Sequence, residues 1–259
     1  CLLSRGLGDV YKRQLVDWPE NLRDGYDFPL TRPVVALGCH NVINALYIGA
    51  METQNTLAEI CGREMPYQTK EIKKAYRNAF YREKTGLLAD SETSSHAALH
   101  SNVYAMYFHL LPEADEEKIL TFMKQKGFSC GVMLSYFVLR VFAERGQYDM
   151  VYELLVNEGE HGWVNMLREG ATTCFEAWGK DQKWNTSLCH PWASAPIPIL
   201  IEEIAGVHID AAEKGGYYWT PHIPKEIREF RLCVPVKGKK IIVEKKMGEA
   251  YAVIREDKE

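Results

Sequence analysis

A chain of 259 residues, 46% hydrophobic and 25% charged, is long enough for one large domain or one domain with a small appendage. Its formal net charge of −4 leaves no basic excess to neutralise phosphates, so nucleic acid is not an expected partner. The most apolar stretch, near residues 132–143, is interrupted by Arg140 and too short to span a bilayer, so a membrane is not expected either.

Aromatic residues make up 11% of the chain, including six Trp and fourteen Tyr. That load suits a sugar-binding surface, where flat rings stack on the C–H faces of pyranoses, and it suits a large helical core equally well. Seven cysteines stand at positions 1, 39, 61, 130, 174, 189 and 233, with no CxxC pair. Their odd count reads as buried or free thiols of a reducing, cytoplasmic compartment, with any signal peptide belonging to a missing upstream part. Residues 1–14, from Cys1 to Gln14, have neither a starting Met nor the charged and apolar regions of a signal peptide. They resemble a translated sequencing adapter and are set aside as an artefact, which places the expected start of genuine sequence at Leu15.

From about Val34 to Ala205 the punctuation is helical. Val34–Cys61 carries apolar residues at Val35, Leu37, Val42, Ile43, Leu46 and Ile48, and Thr69–Lys84 repeats the pattern up to a stop at Gly86. His96–Leu111 ends at Pro112. Asp115–Lys126 opens on an acidic turn that suits the helix dipole and closes on Gly127. Gly131–Arg145 is apolar nearly all round, Tyr148–Asn157 follows a very short turn, and Ile197–Ala205 ends at Gly206. Short connections make sequential helices antiparallel. Alternation of fully apolar helices with striped ones is what an inner ring wrapped by an outer one requires, and a plain helical bundle remains open. After about Lys214 the pattern changes to strands at Arg228–Val236, Lys239–Lys246 and Glu249–Arg255, with turns at Lys237-Gly238 and Met247-Gly248.

The densest chemistry lies in Gly162-Trp-Val-Asn-Met-Leu-Arg-Glu-Gly-Ala-Thr-Thr-Cys-Phe-Glu-Ala-Trp178. A carboxylate, Glu176, flanked by Phe175 and Trp178 in a hydroxyl-bearing loop after a helix stop, is a candidate general base, although a lone Glu is more often a solvated surface group. Asn185-Thr-Ser-Leu-Cys-His190-Pro-Trp192 gathers another aromatic cluster, in which His190 is either a ligand or a locally bonded helix-start residue. His96, His100 and Asn102 have no Cys or Asp at zinc-ligand spacing, so no metal is expected. Phosphate loops, dinucleotide fingerprints, nucleophile elbows and HExxH are absent.

The segment Gly170-Ala-Thr-Thr-Cys-Phe-Glu176-Ala-Trp178 resembles the Gly-Ala-Thr-Thr-x-x-Glu-x-Trp stretch of the six-hairpin bacterial α-L-rhamnosidases. Gly162-Trp-Val-Asn-Met, Asn185-Thr-Ser-Leu-Cys-His190, Val16-Asp-Trp18 and the run ending in Leu110-Leu-Pro112 resemble further stretches of that family, in the same order. The resemblance implies an incomplete (α/α)6 toroid over 15–206 and a C-terminal β-sandwich-like domain over 207–259. It implies inverting hydrolysis of terminal α-L-rhamnose from a glycoside or polysaccharide, with Glu176 as general base, Trp18, His190 and Trp178 lining the rhamnose subsite, and no cofactor. The family's general acid lies on an upstream Arg- and Trp-bearing acidic segment that has no counterpart here; Asp17, Glu20 and Asp24 fall in the Asp-Trp loop instead. The chain alone is therefore expected to be inactive. Another sugar specificity on the same toroid, or a non-catalytic carbohydrate-binding helical domain, is the alternative; homo-oligomerisation is left open.

Overall fold

A computed structural model of the chain describes residues 16–17, 20–27 and 39–258. Among the described residues, seven α-helices of six residues or more follow one another: α1 (Asn41–Ile60), α2 (Lys70–Phe80), α3 (Leu99–Tyr107), α4 (Glu116–Lys126), α5 (Val132–Glu144), α6 (Tyr148–Leu155) and α7 (Trp163–Arg168). Their burial divides them into two kinds. Eight of the nine residues of α3 are buried, and α5 is buried along most of its length. By contrast α2 buries only Tyr76 and Phe80, and α6 only Val151 and Leu154. Neighbour relations match: α1 packs on α3 and α3 on α5, while α2, α4 and α6 each lie against the odd-numbered helix next to them in sequence. Alternate helices thus form an inner layer and the rest an outer layer, the layered arrangement with which the alternation of apolar and striped helices is consistent. No described helix is long and apolar enough to cross a membrane.

The boundaries follow local chemistry. His40 caps α1, its Nδ1 accepting the Ile43 N–H at 3.4 Å. The helix expected over Thr69–Lys84 stops at Phe80, because Tyr81 turns extended and pairs as β1 (Tyr81–Arg82) with β2 (Leu87–Leu88). Gly86, at φ +71°, serves that turn rather than ending a helix. The last apolar segment is a turn of α-helix, Pro196–Pro198, running into a π-helix, Ile199–Ile204.

Two buried carboxylates, Asp17 and Asp90, and a partly buried one, Asp24, hold the N-terminal ends of α3 and α5. Asp17 accepts from His100 Nε2 at 2.7 Å and from the Gly131 N–H at 2.6 Å. Asp24 accepts the Leu99 N–H and pairs with Lys126, and Asp90 accepts from the Ala98 N–H, the Ser101 hydroxyl, the Asp27 N–H and His96 Nδ1. Backbone donors left over at helix starts attract negative charge, which explains why acidic groups tolerate burial there. Asp17 and Asp24 are therefore committed to the scaffold.

Beyond Gly206 come β3 (Val207–Ile209) paired with β4 (Tyr217–Trp219), then an antiparallel sheet of β5 (Phe230–Val236), β6 (Lys239–Lys245) and β7 (Val253–Lys258) in that order. A large core runs from Val16 to Ile204, and a second, smaller one gathers Ala205, Val207, Val234, Val236, Ile241 and Val243. Cys61, Cys130, Cys174, Cys189 and Cys233 are free thiols, as read from their spacing. Cys39 departs from that reading and is disulfide-bonded.

Candidate active site

The loop between α7 and the 3-10 turn Pro191–Ala193 carries the candidate chemistry. It begins at Gly170, whose φ of +80° lets its N–H reach Leu167 O while the Ala171 N–H reaches Met166 O, closing the helix end. The chain then runs extended. The Glu176 N–H donates to Ser187 O and the His190 N–H to Cys174 O, each at 2.8 Å, so 174–176 and 187–190 lie side by side. Alternation along the extended stretch sends Phe175 and Ala177 inward and leaves Cys174 and Glu176 partly exposed.

Glu176 is gripped at both oxygens. Lys183 forms an ion pair with Oε1, and the Ser187 N–H donates to Oε2 at 2.9 Å. Burial pushes the Glu176 pKa up, but the Lys183 ammonium, the Ser187 N–H and His190 together outweigh it and hold the carboxyl below its ordinary value. Glu176 is therefore an ionised carboxylate at neutral pH, the state a base requires. His190 stacks at a tilt on Trp192, 4.6 Å between ring centroids, and the Trp192 indole N–H donates to Glu176 O at 3.0 Å. Glu176, Lys183, His190 and Trp192 thus stand together.

Trp178 does not join them. It is fully buried, its ring stacked on Phe128 and edge-on to Trp163, and its Nε1–H donates to Cys130 O at 2.6 Å. Its ring offers no open face to a sugar and instead fastens the loop to the residues that lead into α5. Because Asp17 binds Gly131 N, next to Cys130, the Glu176 loop and the Asp17 loop meet at the same end of the inner helices. Trp18 lies outside the described residues. Trp192 belongs to the cluster that the sequence marks around His190, without a role assigned to it, whereas Lys183 carries no distinguishing pattern, being a lysine in a polar loop. No group of three His, Cys, Asp or Glu side chains among the described residues could hold a metal ion.

A layered helical-hairpin scaffold, with a paired carboxylate and an imidazole clustered at one end, is compatible with the six-hairpin glycosidase class. The profile of the bacterial alpha-L-rhamnosidase 6 hairpin glycosidase domain matches residues 4–204, and the chain belongs to that family. The match begins inside the 1–14 stretch set aside above. An alpha-L-rhamnosidase of Formosa agariphila is 28% identical over 156 residues, 56% of this chain and 16% of that protein. One from Alteromonas sp. (strain LOR) is 29% identical over 115 residues, 42% of this chain and 12% of that protein. The chain therefore spans only a small part of the curated relatives it matches. Among solved structures, the GH78 family rhamnosidase of Bacillus sp. GL1 superposes with a TM-score of 0.72 at 19% identity, over 94% of this chain and 26% of the other. The Streptomyces avermitilis alpha-L-rhamnosidase, solved in complex with L-rhamnose, gives a TM-score of 0.70 at 18% identity over 92% of this chain and 23% of the other.

Proposed function

We propose that the protein containing this chain is an α-L-rhamnosidase that removes terminal α-L-rhamnose from glycosides or polysaccharides with inversion, and that Glu176 is its general base. The observation that carries this reading is the doubly held, ionised Glu176 carboxylate beside His190, in the loop whose sequence bears the family pattern. An inverting glycosidase needs a carboxylate to take a proton from water on one face of the sugar and a carboxylic acid to protonate the leaving oxygen on the other. The two stand roughly 6.5–9.5 Å apart, leaving room for that water. Glu176 supplies the first function. A carboxylate has four acceptor sites, and the Lys183 and Ser187 contacts use one on each oxygen, so the water still has a place to bind. His190 and Trp18 line the rhamnose subsite; the complex of the Streptomyces relative with L-rhamnose supports that choice of sugar. The acid is assigned to the family's upstream acidic segment, which has no counterpart in this chain, and the engagement of Asp17 and Asp24 in helix ends supports that reading. The division into a toroid part over 15–206 and a β-domain over 207–259 belongs to the same proposal and is supported by the two separate cores.

One experiment on an aryl α-L-rhamnoside tests the reading. The complete enzyme releases aglycone, its Glu176→Gln variant loses about 10²–10⁴-fold in kcat with little change in KM, and the 259-residue chain alone is inactive. Undiminished turnover in the variant would remove Glu176 from the mechanism, and turnover by the isolated chain at the complete enzyme's rate would refute an external acid.

A further inference from the structure

We infer that Lys183 is the positioning residue of the Glu176 carboxylate, an ammonium that aims the base and sets the acidic edge of the pH range in which it works. The inference rests on Glu176 being the base, and it adds a residue that the family pattern in this sequence does not mark.

The Lys183 side chain is only 8% exposed, and its Glu176 partner 14%. Withdrawing a lysine that far from water is costly unless an opposite charge and good geometry compensate, so this pair is unlike a surface ion pair, whose net worth is small. The loop is built to deliver it. The Asn165 side chain of α7 donates to Trp178 O at 3.0 Å and to Glu169 Oε1 at 3.0 Å, and the Trp178 N–H donates to Gln182 Oε1 at 3.1 Å. Gly179 lies so close to Glu169 that a Cβ there would come within 2.7 Å of its Oε1. Lys180, the other nearby cation, is spent on Glu169: its N–H donates to Oε2 at 2.7 Å and its Nζ bonds Glu169 O. Among the described residues, the charged groups acting on Glu176 are accordingly Lys183 from its own loop and His190 from the returning segment.

The residue type fits the task. A guanidinium prefers to fork across both carboxylate oxygens, which would displace the Ser187 N–H from Oε2 and occupy sites a water needs. An ammonium is a point charge that takes Oε1 and leaves the Ser187 contact intact. Removing the ammonium takes away contacts that oppose the effect of burial, which raises the proton affinity of Glu176 and leaves less of it ionised on the acidic side.

The test uses the pH dependence of kcat/KM in the complete enzyme for Lys183→Met, Lys183→Arg and Glu176→Gln. Lys183→Met moves the acidic limb to higher pH and lowers the plateau kcat by up to about 10²-fold with KM little changed, because a misaimed base affects the attacking water more than sugar binding. Lys183→Arg returns the limb toward its original place. A lysine that only props the loop would lower activity without moving the limb. If Glu176→Gln is inactive but the Lys183→Met limb stays in place, the role assigned to Lys183 is overturned while the base survives; if Glu176→Gln keeps its activity, both fall. Should Lys183→Met not fold, carbon-13 detected titration of the unsubstituted 259-residue chain decides: Glu176 titrates below the solvent-exposed glutamates of the same chain, and a midpoint at or above theirs overturns the inference.

Discussion

Single residues in this chain are read correctly only when their partners are known. Glu176 and Trp178, two positions apart, look like one aromatic-flanked acidic site in the sequence. The structure gives the first a place beside Lys183 and His190, and it sends the second into the core against Phe128 and Trp163. His40 makes the same point with a measurable consequence. It caps α1 through Nδ1, which also faces the Tyr26 hydroxyl at 3.1 Å, and burial pushes its pKa down to about 3 from an ordinary 6.5. Between those values the unfolded chain binds a proton there and the folded chain does not. Folding stability is thus unaffected by His40 above pH 6.5 and falls as the pH drops from 6.5 toward 3, by up to about 1.4 kcal/mol per unit. Asn caps a helix as well as any residue without titrating. Urea denaturation of His40→Asn between pH 7 and 4.5 should therefore show a flatter decline than the parent chain, and parallel declines would rule out His40 as the source.

At the scale of elements, what was legible depended on length and on whether partners were local. The all-apolar run of α5 and the acidic opening of α4 are statements a sequence makes about itself, and both helices end within a residue or so of the expected bounds. The first strand of the hairpin, Tyr81–Arg82, falls within the helix expected over Thr69–Lys84, because two-residue strands leave no period to detect. The caps that Asp17 and Asp24 supply to α5 and α3 were illegible too, because each joins residues more than seventy positions apart. The turn between β5 and β6 sits at the legible end. Val236 pairs with Lys239, so the loop is Lys237-Gly238, with φ of +48° and +72°. Two consecutive positive φ values are the signature of a turn whose twist matches the flanking strands, and Asn-Gly is its preferred sequence. Lys237 is an exposed L-residue held in a left-handed conformation that its Cβ disfavours. Lys237→Asn should stabilise the fold by about 0.5–1 kcal/mol, seen as a higher Tm in thermal melting. A lower Tm would mean that the lysine stem contributes more than its backbone costs.

At the scale of the whole molecule, the question is how the small β-core is tied to the helical one. The tie is a short run of backbone around Gly206. There the Thr220 N–H donates to Gly206 O at 2.8 Å, the His222 N–H donates to Ile204 O at 2.9 Å, and the Trp219 indole donates to Ala205 O at 2.8 Å. The His222 ring lies flat on Tyr148 of α6, 3.7 Å between centroids, and Arg140 of α5 binds both Glu202 and Glu203 of the π-helix leading into the junction. Ile223 packs against both cores. Gly206 permits this closeness in two ways: its φ is +73°, and a Cβ placed on it would come within 2.0 Å of Thr220 O, a backbone atom that no side-chain rotation can move aside. Gly206→Ala must therefore either strain the turn or push β4 away from the π-helix. Overpacking of this kind costs about 1–3 kcal/mol, with a further contribution from the positive φ. The loss falls at the junction. The expected result is a lower Tm together with new protease cleavage near residues 206–222, while the Glu176 loop, anchored separately through Trp178 and Asn165, keeps its protection. Simultaneous exposure of both regions would show that the sheet and the helical layers unfold as one unit, and that the β-core supports the candidate active site directly.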